Sequence, residues 1–396
     1  MTHVVDLSVE LYGKTLKNPL ILGSGTLVER PEQIAPYVAG GAALVVPRTT
    51  RANMKRKHHP IPHLWQEGRR ADPNFFNCEW TGADIAFWRP TLEDHIASGD
   101  VVMSVSGRDI DDCIAVCREL DGYGRWPYLE VNVSCAHSNF AHGAINADVE
   151  HIKNLVGKLT ALGLQSPVLL KLGYSAALME MCKAARNEGI DGVVLLNTFG
   201  PVFHFDIDSY GQPVRTSGLS GSMSGLSGAP LFPVALDAVA HVHHETNLPI
   251  IACGGVSNAR EAVQMLMAGA KAVQIYSAAH SFGSKGPRVF ERILKDMQKQ
   301  LTSYSVAKLS NIIGSASHIL DHETNMQKNV PVVLDDACIA CGICIDICLP
   351  EAITEVELNN AGTTKKTVRI DADTCVGCGH RIPVCPTNVR ALKWNS

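Results

Sequence analysis

Seven cysteines near the end of the chain stand at spacings that wrap iron–sulfur clusters. The first run reads Cys338-x2-Cys341-x2-Cys344-x3-Cys348, and the second reads Cys375-x2-Cys378-x2-Arg381-x3-Cys385-Pro386. In paired runs of this kind, each run wraps one cluster and lends its fourth Cys to the other. The spacing therefore predicts one [4Fe-4S] cluster on Cys338, Cys341, Cys344 and Cys385. A second cluster would rest on Cys375, Cys378 and Cys348, with Arg381 where a fourth thiolate is expected. It is expected to be 3Fe-4S, or 4Fe-4S with a non-Cys ligand (His380 is the nearest candidate), or absent. The chemistry implied is the movement of single electrons, and loss of one thiolate removes negative charge and raises the potential.

The front of the chain carries a different kind of chemistry, placed at the ends of short apolar runs. Lys171 closes one such run, and a buried lysine is costly unless it meets an anion or a polar acceptor. Beside the N1–C2=O edge of a flavin it would stabilise negative charge on the ring; a structural salt bridge is the competing expectation. Asn132 and Asn197 stand near the ends of two further runs and offer an amide donor and acceptor each to a ring substrate. Cys135 follows Asn132 closely and, as a thiolate, could exchange a proton with substrate. Gly254-Gly255 and Tyr276-Ser277 end the last two runs, where glycine lets backbone N–H groups approach an anion.

The elements that must position these residues repeat one theme. β-branched apolar runs at Pro19–Gly25, Ala43–Arg48, Val101–Gly107, Tyr128–Ser134, Pro167–Gly173, Gly192–Thr198, Pro249–Gly255 and Ala272–Ala278 each lead into a helical pattern. Continuous apolar runs fit parallel strands buried on both faces. Eight of them alternating with helices predict a (β/α)8 TIM barrel, whose functional groups gather at the strand C-termini. Helices are expected at Ala176–Asn187, Leu231–Glu245 and Asn258–Ala268, the last with Asn258 as N-cap. Two long connections, about 49–100 and 199–230, would lie on the catalytic face. The domain reading is a barrel over 1–300, a connector over 301–330 and a bacterial-ferredoxin-like 2[4Fe-4S] domain over 331–396. Between the two Cys runs, Ala352–Leu358 and Thr364–Ile370 flank Asn-Asn-Ala-Gly, a hairpin signal.

These residues resemble the dihydroorotate dehydrogenase superfamily over about 5–300. The matching pieces are Asn132–Cys135, Lys171, Asn197-Thr198, Gly225–Gly228, Gly254-Gly255 and Gln274–Ser277. With the cysteine tail, the chain is similar to the FMN and iron–sulfur portion of dihydropyrimidine dehydrogenases and their bacterial two-subunit forms. The resemblance implies FMN held by Ser24, Gly25, Arg48, Asn132, Lys171, Asn197, Gly228, Gly254, Gly255, Tyr276 and Ser277. It implies substrate contacts from Asn77, Asn132, Asn197 and Thr198, and catalysis by Cys135, Lys171 and His137, with His142 a rival. It also implies a partner subunit handling NAD(P)H through FAD, or a ferredoxin, and an oligomeric assembly. Three departures stand out. Arg48 replaces the family's lysine and, unable to deprotonate, can only donate. Cys135-Ala136-His137 replaces Cys-Pro-Asn. The stretch beginning at His142 lacks the cysteine of the pyrimidine-reducing branch.

The implied reaction interconverts C–C and C=C bonds next to a carbonyl in a small cyclic substrate resembling dihydroorotate or a dihydropyrimidine. A non-pyrimidine cyclic amide or enone is the alternative substrate class. An electron-transfer subunit with a scaffold barrel is the alternative from another class, and an isomerase or synthase-type flavin barrel a third. Net charge is −4, so no nucleic-acid partner is indicated. No run reaches transmembrane length, and the opening residues show no secretory pattern. Cysteines at cluster spacing fit a reducing cytoplasm better than disulfides. Cys113, Cys117, Cys182 and Cys253 read as packing residues, and the histidines at 58–63 and 241–244 as solvated.

Overall fold

The structure, a computed structural model, describes residues 4–52, 64–67, 74–77, 83–133, 148–202, 224–320, 329–360, 363–380, 382–387 and 392–393. The chain forms two compact units, Met1–Asp321 and His322–Ser396.

The first unit is built on eight parallel strands: β1 (Leu20–Leu22), β2 (Leu44–Val45), β3 (Met103–Val105), β4 (Leu129–Asn132), β5 (Val168–Leu172), β6 (Gly192–Leu195), β7 (Ile250–Cys253) and β8 (Ala272–Ile275). Each lies inside one of the eight apolar runs. Pairing runs from β3 through β4, β5, β6, β7 and β8 to β1 and on to β2. The ring closes through a parallel bridge between Val45 and Val101, with Val102 N donating to Val45 O at 3.0 Å. Nearly every strand residue is buried, because barrel side chains face either the packed interior or the helix layer.

The helices include α1 (Ile110–Gly122), α2 (Val149–Thr160), α3 (Leu178–Asn187), α4 (Phe232–Thr246), α5 (Ala259–Met267) and α6 (Arg288–Ser303). Local sequence starts several of them. Asp109, Asp148 and Asn258 each accept a backbone N–H three residues on, at 2.8, 3.1 and 3.1 Å, satisfying donors the helix itself leaves unpaired. On α6, Val289, Phe290, Ile293, Met297 and Leu301 recur at helical spacing and are all buried. Each such side chain contributes about 1.5–3 kcal/mol. Beyond α6, Leu309 is buried and Gly314 N donates to Leu266 O at 3.0 Å, so residues within the expected connector pack on the barrel's own helix layer.

The two long connections meet. Leu64–Glu67 and Asn74–Asn77 come from the first, and Phe199–Val202 and Ser224–Gly228 from the second. They form one four-stranded antiparallel sheet with Gly225 opposite Asn77 and Gly228 opposite Asn74.

The second unit centres on Cys348, Ala352, Ile353, Val368 and Cys375, which form a small buried cluster. Its two strands, Ile353–Asn360 and Thr363–Ile370, pair antiparallel as a hairpin requires, each reaching past the expected bounds toward the other.

Candidate functional site

Alternate side chains of a barrel strand face inward. On β4 these are Glu130 and Asn132, and the register sets Asn132 beside Lys171 of β5. Lys171 is 3% exposed. Its ammonium donates to Gln274 Oε1 of β8 at 2.9 Å and meets Glu130 Oε1 at 3.3 Å. Glu130 is fully buried, and its second oxygen accepts from Gln274 Nε2 at 2.6 Å, which also approaches Tyr128 Oη at 3.3 Å. Burial alone would pull the Lys171 pKa down, but the Glu130 carboxylate, with coupling to the Cys253 thiol adding to it, outweighs burial and raises it. Burial pushes the Cys253 thiol up, partly offset by Lys171.

One layer nearer the strand ends lies a chain of small polar groups. Asn197 Nδ2 donates to Asn132 Oδ1 at 3.2 Å, and Asn132 Nδ2 donates to Thr49 Oγ1 at 3.3 Å. Thr49 shares hydrogen bonds with Ser104 at 2.9 Å and Ser24 at 3.3 Å, and Ser24 donates to Pro47 O at 2.8 Å. Thr198 N donates to Asn197 Oδ1 at 2.9 Å, and the Thr198 hydroxyl pairs with Ser227 at 2.9 Å.

At the far side, the strand-end glycines gather at the start of α4. Gly228, Gly254 and Gly255 have φ of 99°, 124° and 76°. A Cβ on Gly255 would lie 2.5 Å from Phe232 N and 2.8 Å from Gly228 O, so only glycine admits this approach. The arrangement puts backbone amides and the positive end of a fifteen-residue helix together, a site suited to an anion. Tyr276 leaves β8 to accept a hydrogen bond from Thr26 N at 2.9 Å and share one with Thr26 Oγ1 at 2.8 Å. Its hydroxyl pKa is raised by burial, against the pull of the Thr26 hydrogen bonds and Arg48. The Arg48 guanidinium is ion-paired with Glu29.

Ser24, Lys171, Asn197, Thr198, Gly228, Gly254, Gly255, Tyr276 and Ser277 line one cleft, together with Cys253 and Gln274. Its two ends differ: one offers a buried cation and amides, the other a glycine-lined helix terminus. The donor set therefore fits a planar polar ring joined to a phosphate. Cys135, His137 and His142 lie outside the described residues, as does the side chain of Asn77. Glu130 and Thr49 escaped the sequence reading. The signal for Glu130 was present: an acidic residue inside the apolar run Leu129–Asn132, two positions before Asn132, shares its inward face.

In the second unit, Cys338, Cys341, Cys344 and Cys385 line one cavity. The Cys344 thiol pKa is raised by burial and by the neighbouring Cys341, Cys338 and Cys385. Ala340 N donates to Cys338 Sγ at 3.4 Å, and Gly377 N donates to Cys375 Sγ at the same 3.4 Å. The two runs thus fold alike, with Ala340 and Gly377 both at positive φ, 49° and 70°. Cys348 and Cys375 are buried, Cys348 Sγ accepting from Ala352 N at 3.0 Å, and Cys378 is exposed. Such N–H···S contacts and an all-thiol donor set fit iron–sulfur ligation. Among the described residues no group of His, Cys, Asp and Glu is arranged to hold a single metal ion. Arg381 lies outside the described residues.

A closed barrel with a polar cleft at its strand ends, followed by a ferredoxin-like cysteine unit, defines an oxidoreductase. Residues 6–301 match the family described as dihydroorotate dehydrogenase, and residues 337–389 match the 4Fe-4S dicluster domain. The chain belongs to the dihydroorotate dehydrogenase family, oxidoreductases acting on CH–CH groups, and carries a 4Fe-4S dicluster domain later in its sequence. It is 30% identical over 321 residues to a putative dihydroorotate dehydrogenase A (fumarate) of Aeropyrum pernix, covering 78% of this chain and 97% of the relative. It is 30% identical over 320 residues to the catalytic subunit of a dihydroorotate dehydrogenase B (NAD(+)) of Desulforudis audaxviator, covering 79% of this chain and 98% of the relative. Among solved structures, a DHODH from Eimeria tenella in complex with ferulenol superposes with a TM-score of 0.63 at 19% identity, over 78% of this chain and 88% of that one, a likeness of fold. Among the described residues no helix is long and apolar enough to cross a membrane.

Proposed function

We propose that the chain is an FMN-dependent oxidoreductase. It would interconvert C–C and C=C bonds next to a carbonyl in a small cyclic substrate of the dihydroorotate or dihydropyrimidine type. The observation that carries this reading is the cleft with Lys171 held as a cation at one end and Gly228, Gly254 and Gly255 meeting the α4 terminus at the other. FMN, when bound, supplies hydride exchange with carbon and couples two-electron to one-electron transfer.

The chain's own residues then divide the work. Lys171 stabilises negative charge on the N1–C2=O edge of the ring. The glycine-lined terminus and Ser277 receive the phosphate, and Ser24 and Gly25 border the ring. Arg48, paired with Glu29, supports the loop beside it. Asn132, Asn197 and Thr198 orient the substrate, with Asn77 from the paired connection. Cys135 exchanges the proton, with His137 beside it as rival.

The cysteine unit gives the enzyme a one-electron outlet on Cys338, Cys341, Cys344 and Cys385. A second cluster would use Cys348, Cys375 and Cys378 plus a non-Cys fourth ligand, or lack its fourth iron. The outlet suits a partner that handles NAD(P)H through FAD, or a ferredoxin, in a cytoplasmic assembly.

The test is anaerobic purification followed by flavin extraction and titration with a panel of cyclic substrates. The panel holds dihydroorotate, dihydrouracil, dihydrothymine, and saturated cyclic amides and ketones. Bleaching of bound flavin by a dihydropyrimidine-type compound is expected. Protein that binds no flavin would sink the reading.

A further inference from the structure

Glu130 was assigned no part by the sequence, yet it is the most completely buried charged group beside the cleft. Its two oxygens are spoken for by two residues that themselves touch each other. Oε1 meets Lys171 Nζ at 3.3 Å, Oε2 accepts from Gln274 Nε2 at 2.6 Å, and Gln274 Oε1 accepts from Lys171 Nζ at 2.9 Å. The three side chains close a ring of hydrogen bonds drawn from β4, β5 and β8. Turning the Gln274 amide over would set its NH2 against the ammonium and its carbonyl against the carboxylate. Both contacts would then be repulsive, so Glu130 determines which face of Gln274 Lys171 sees.

We infer that Glu130 is a positioning residue: it is the counter-charge that keeps Lys171 an ammonium within the cleft and fixes the Gln274 amide against it. The consequence for flavin chemistry rests on the function proposed above. The ionisation of Lys171 does not. The titratable groups facing this ring are Glu130 itself, Cys253 from β7 and Tyr128 from the start of the β4 run, with the Tyr12 ring tilted against Tyr128 at 6.4 Å between centroids. Of these, Glu130 meets Lys171 directly, at 3.3 Å. Burial by itself lowers a lysine pKa, and here the net direction is upward, with Glu130 the main group opposing burial and Cys253 adding to it. Without that carboxylate, burial is left largely unopposed and Lys171 loses its proton at lower pH.

The test measures how fast the Lys171 amine is acetylated by acetic anhydride as pH is varied. It is read by peptide mass spectrometry on the full-length protein, whether or not it holds flavin. In the wild-type chain the labelling midpoint is expected above that of the exposed lysines. In Glu130→Gln it is expected to fall by at least one pH unit, a tenfold or greater rise in labelling at a given pH below the midpoint. Glu130→Asp, which keeps the charge, should stay near wild type. A wild-type midpoint at or below the exposed lysines would overturn the inference without recourse to any variant, as would coincident curves for Glu130→Gln and wild type. In flavin-loaded protein the potential-versus-pH line of Glu130→Gln should gain a break marking one extra proton taken up on reduction, absent in wild type. Protein without flavin would fail the proposed function while leaving the labelling result to decide the role of Glu130.

Discussion

Tyr276 Oη accepts the Thr26 backbone N–H at 2.9 Å, tying the end of β8 to the loop after the neighbouring β1. The ring reaches there only because Gly25 has no side chain: a Cβ on Gly25 would collide with it. One tyrosine thereby shapes two loops that border the cleft.

Gly25→Ala is expected to force the Tyr276 ring aside. Overpacking of this kind costs about 1–3 kcal/mol, and because the displaced loop carries Ser24, flavin retention should fall with it. Tyr276→Phe should cost only about 1 kcal/mol, the worth of the lost hydrogen bond. Thermal unfolding with flavin content measured on the same samples checks both. Equal losses from the two variants would contradict this account.

Asn132 and Asn197 bond to each other, and Asn132 is further tied to Thr49. Either amide replaced by alanine leaves the other misaimed. Asn132→Ala and Asn197→Ala are each expected to lower kcat/KM by about a hundredfold, the scale of misplaced substrate. The double variant should be little worse than either single. Steady-state kinetics on the substrate found by flavin titration provides the measurement.

The Lys171–Glu130 pair should also appear in stability. Removing one partner of a buried pair costs about 3–5 kcal/mol, because the other charge is left unpaired. Lys171→Met is expected to show that loss, and Lys171→Met with Glu130→Leu to recover most of it. The sign with pH follows from the raised Lys171 pKa. The folded chain holds that proton more tightly than the unfolded chain does. The contribution is therefore complete below the unfolded lysine value, about 10.4, and is lost as pH rises through the higher folded value. Denaturant titrations between neutral and strongly alkaline pH would register it.

The barrel was legible because buried parallel strands write themselves as continuous apolar runs, and all eight runs contain a strand. The strand ends were legible too: Lys171, Asn197 and the Gly254-Gly255 pair are residue types that an apolar core would reject or that a tight approach requires. The inward face of Glu130 was legible from its spacing to Asn132, but its role was not, because one acidic residue in a strand gives no sign of the residues on other strands that pair with it. Thr49 and Ser104 were missed for a related reason. Small hydroxyls are common in strands, and their part in holding Asn132 depends on contacts between β2, β3 and β4. Arg48 carried a family expectation, yet its charge is shared with Glu29, a loop residue nineteen positions earlier whose proximity no local pattern encodes.

The cysteine unit yields its own prediction. Cys338, Cys341, Cys344 and Cys385 share one cavity, so Cys344→Ser should remove one complete cluster while leaving flavin in place. Cys378→Ser should affect only the other site. Iron counting with electron paramagnetic resonance of the reduced protein separates the two. Two ordinary all-Cys four-iron signals in the wild-type chain would contradict the assignment of three cysteines to the second site.

In the proposed reaction Cys135 is the group that moves the proton. The proposed reaction shifts a hydride to or from one carbon and a proton to or from its neighbour, so removing the proton-transfer group should slow only the half-reaction with substrate. Cys135→Ala is expected to lower that rate by about 10²–10⁴-fold, the usual range for a general base. Reduction and reoxidation of the flavin through the iron–sulfur unit should continue at the wild-type rate. Stopped-flow mixing with substrate, compared with chemical reduction by dithionite, isolates the two halves. Were His137→Gln to reproduce the loss while Cys135→Ala did not, the proton would belong to His137. A Cys135→Ala variant with both halves intact would remove this cysteine from the reaction.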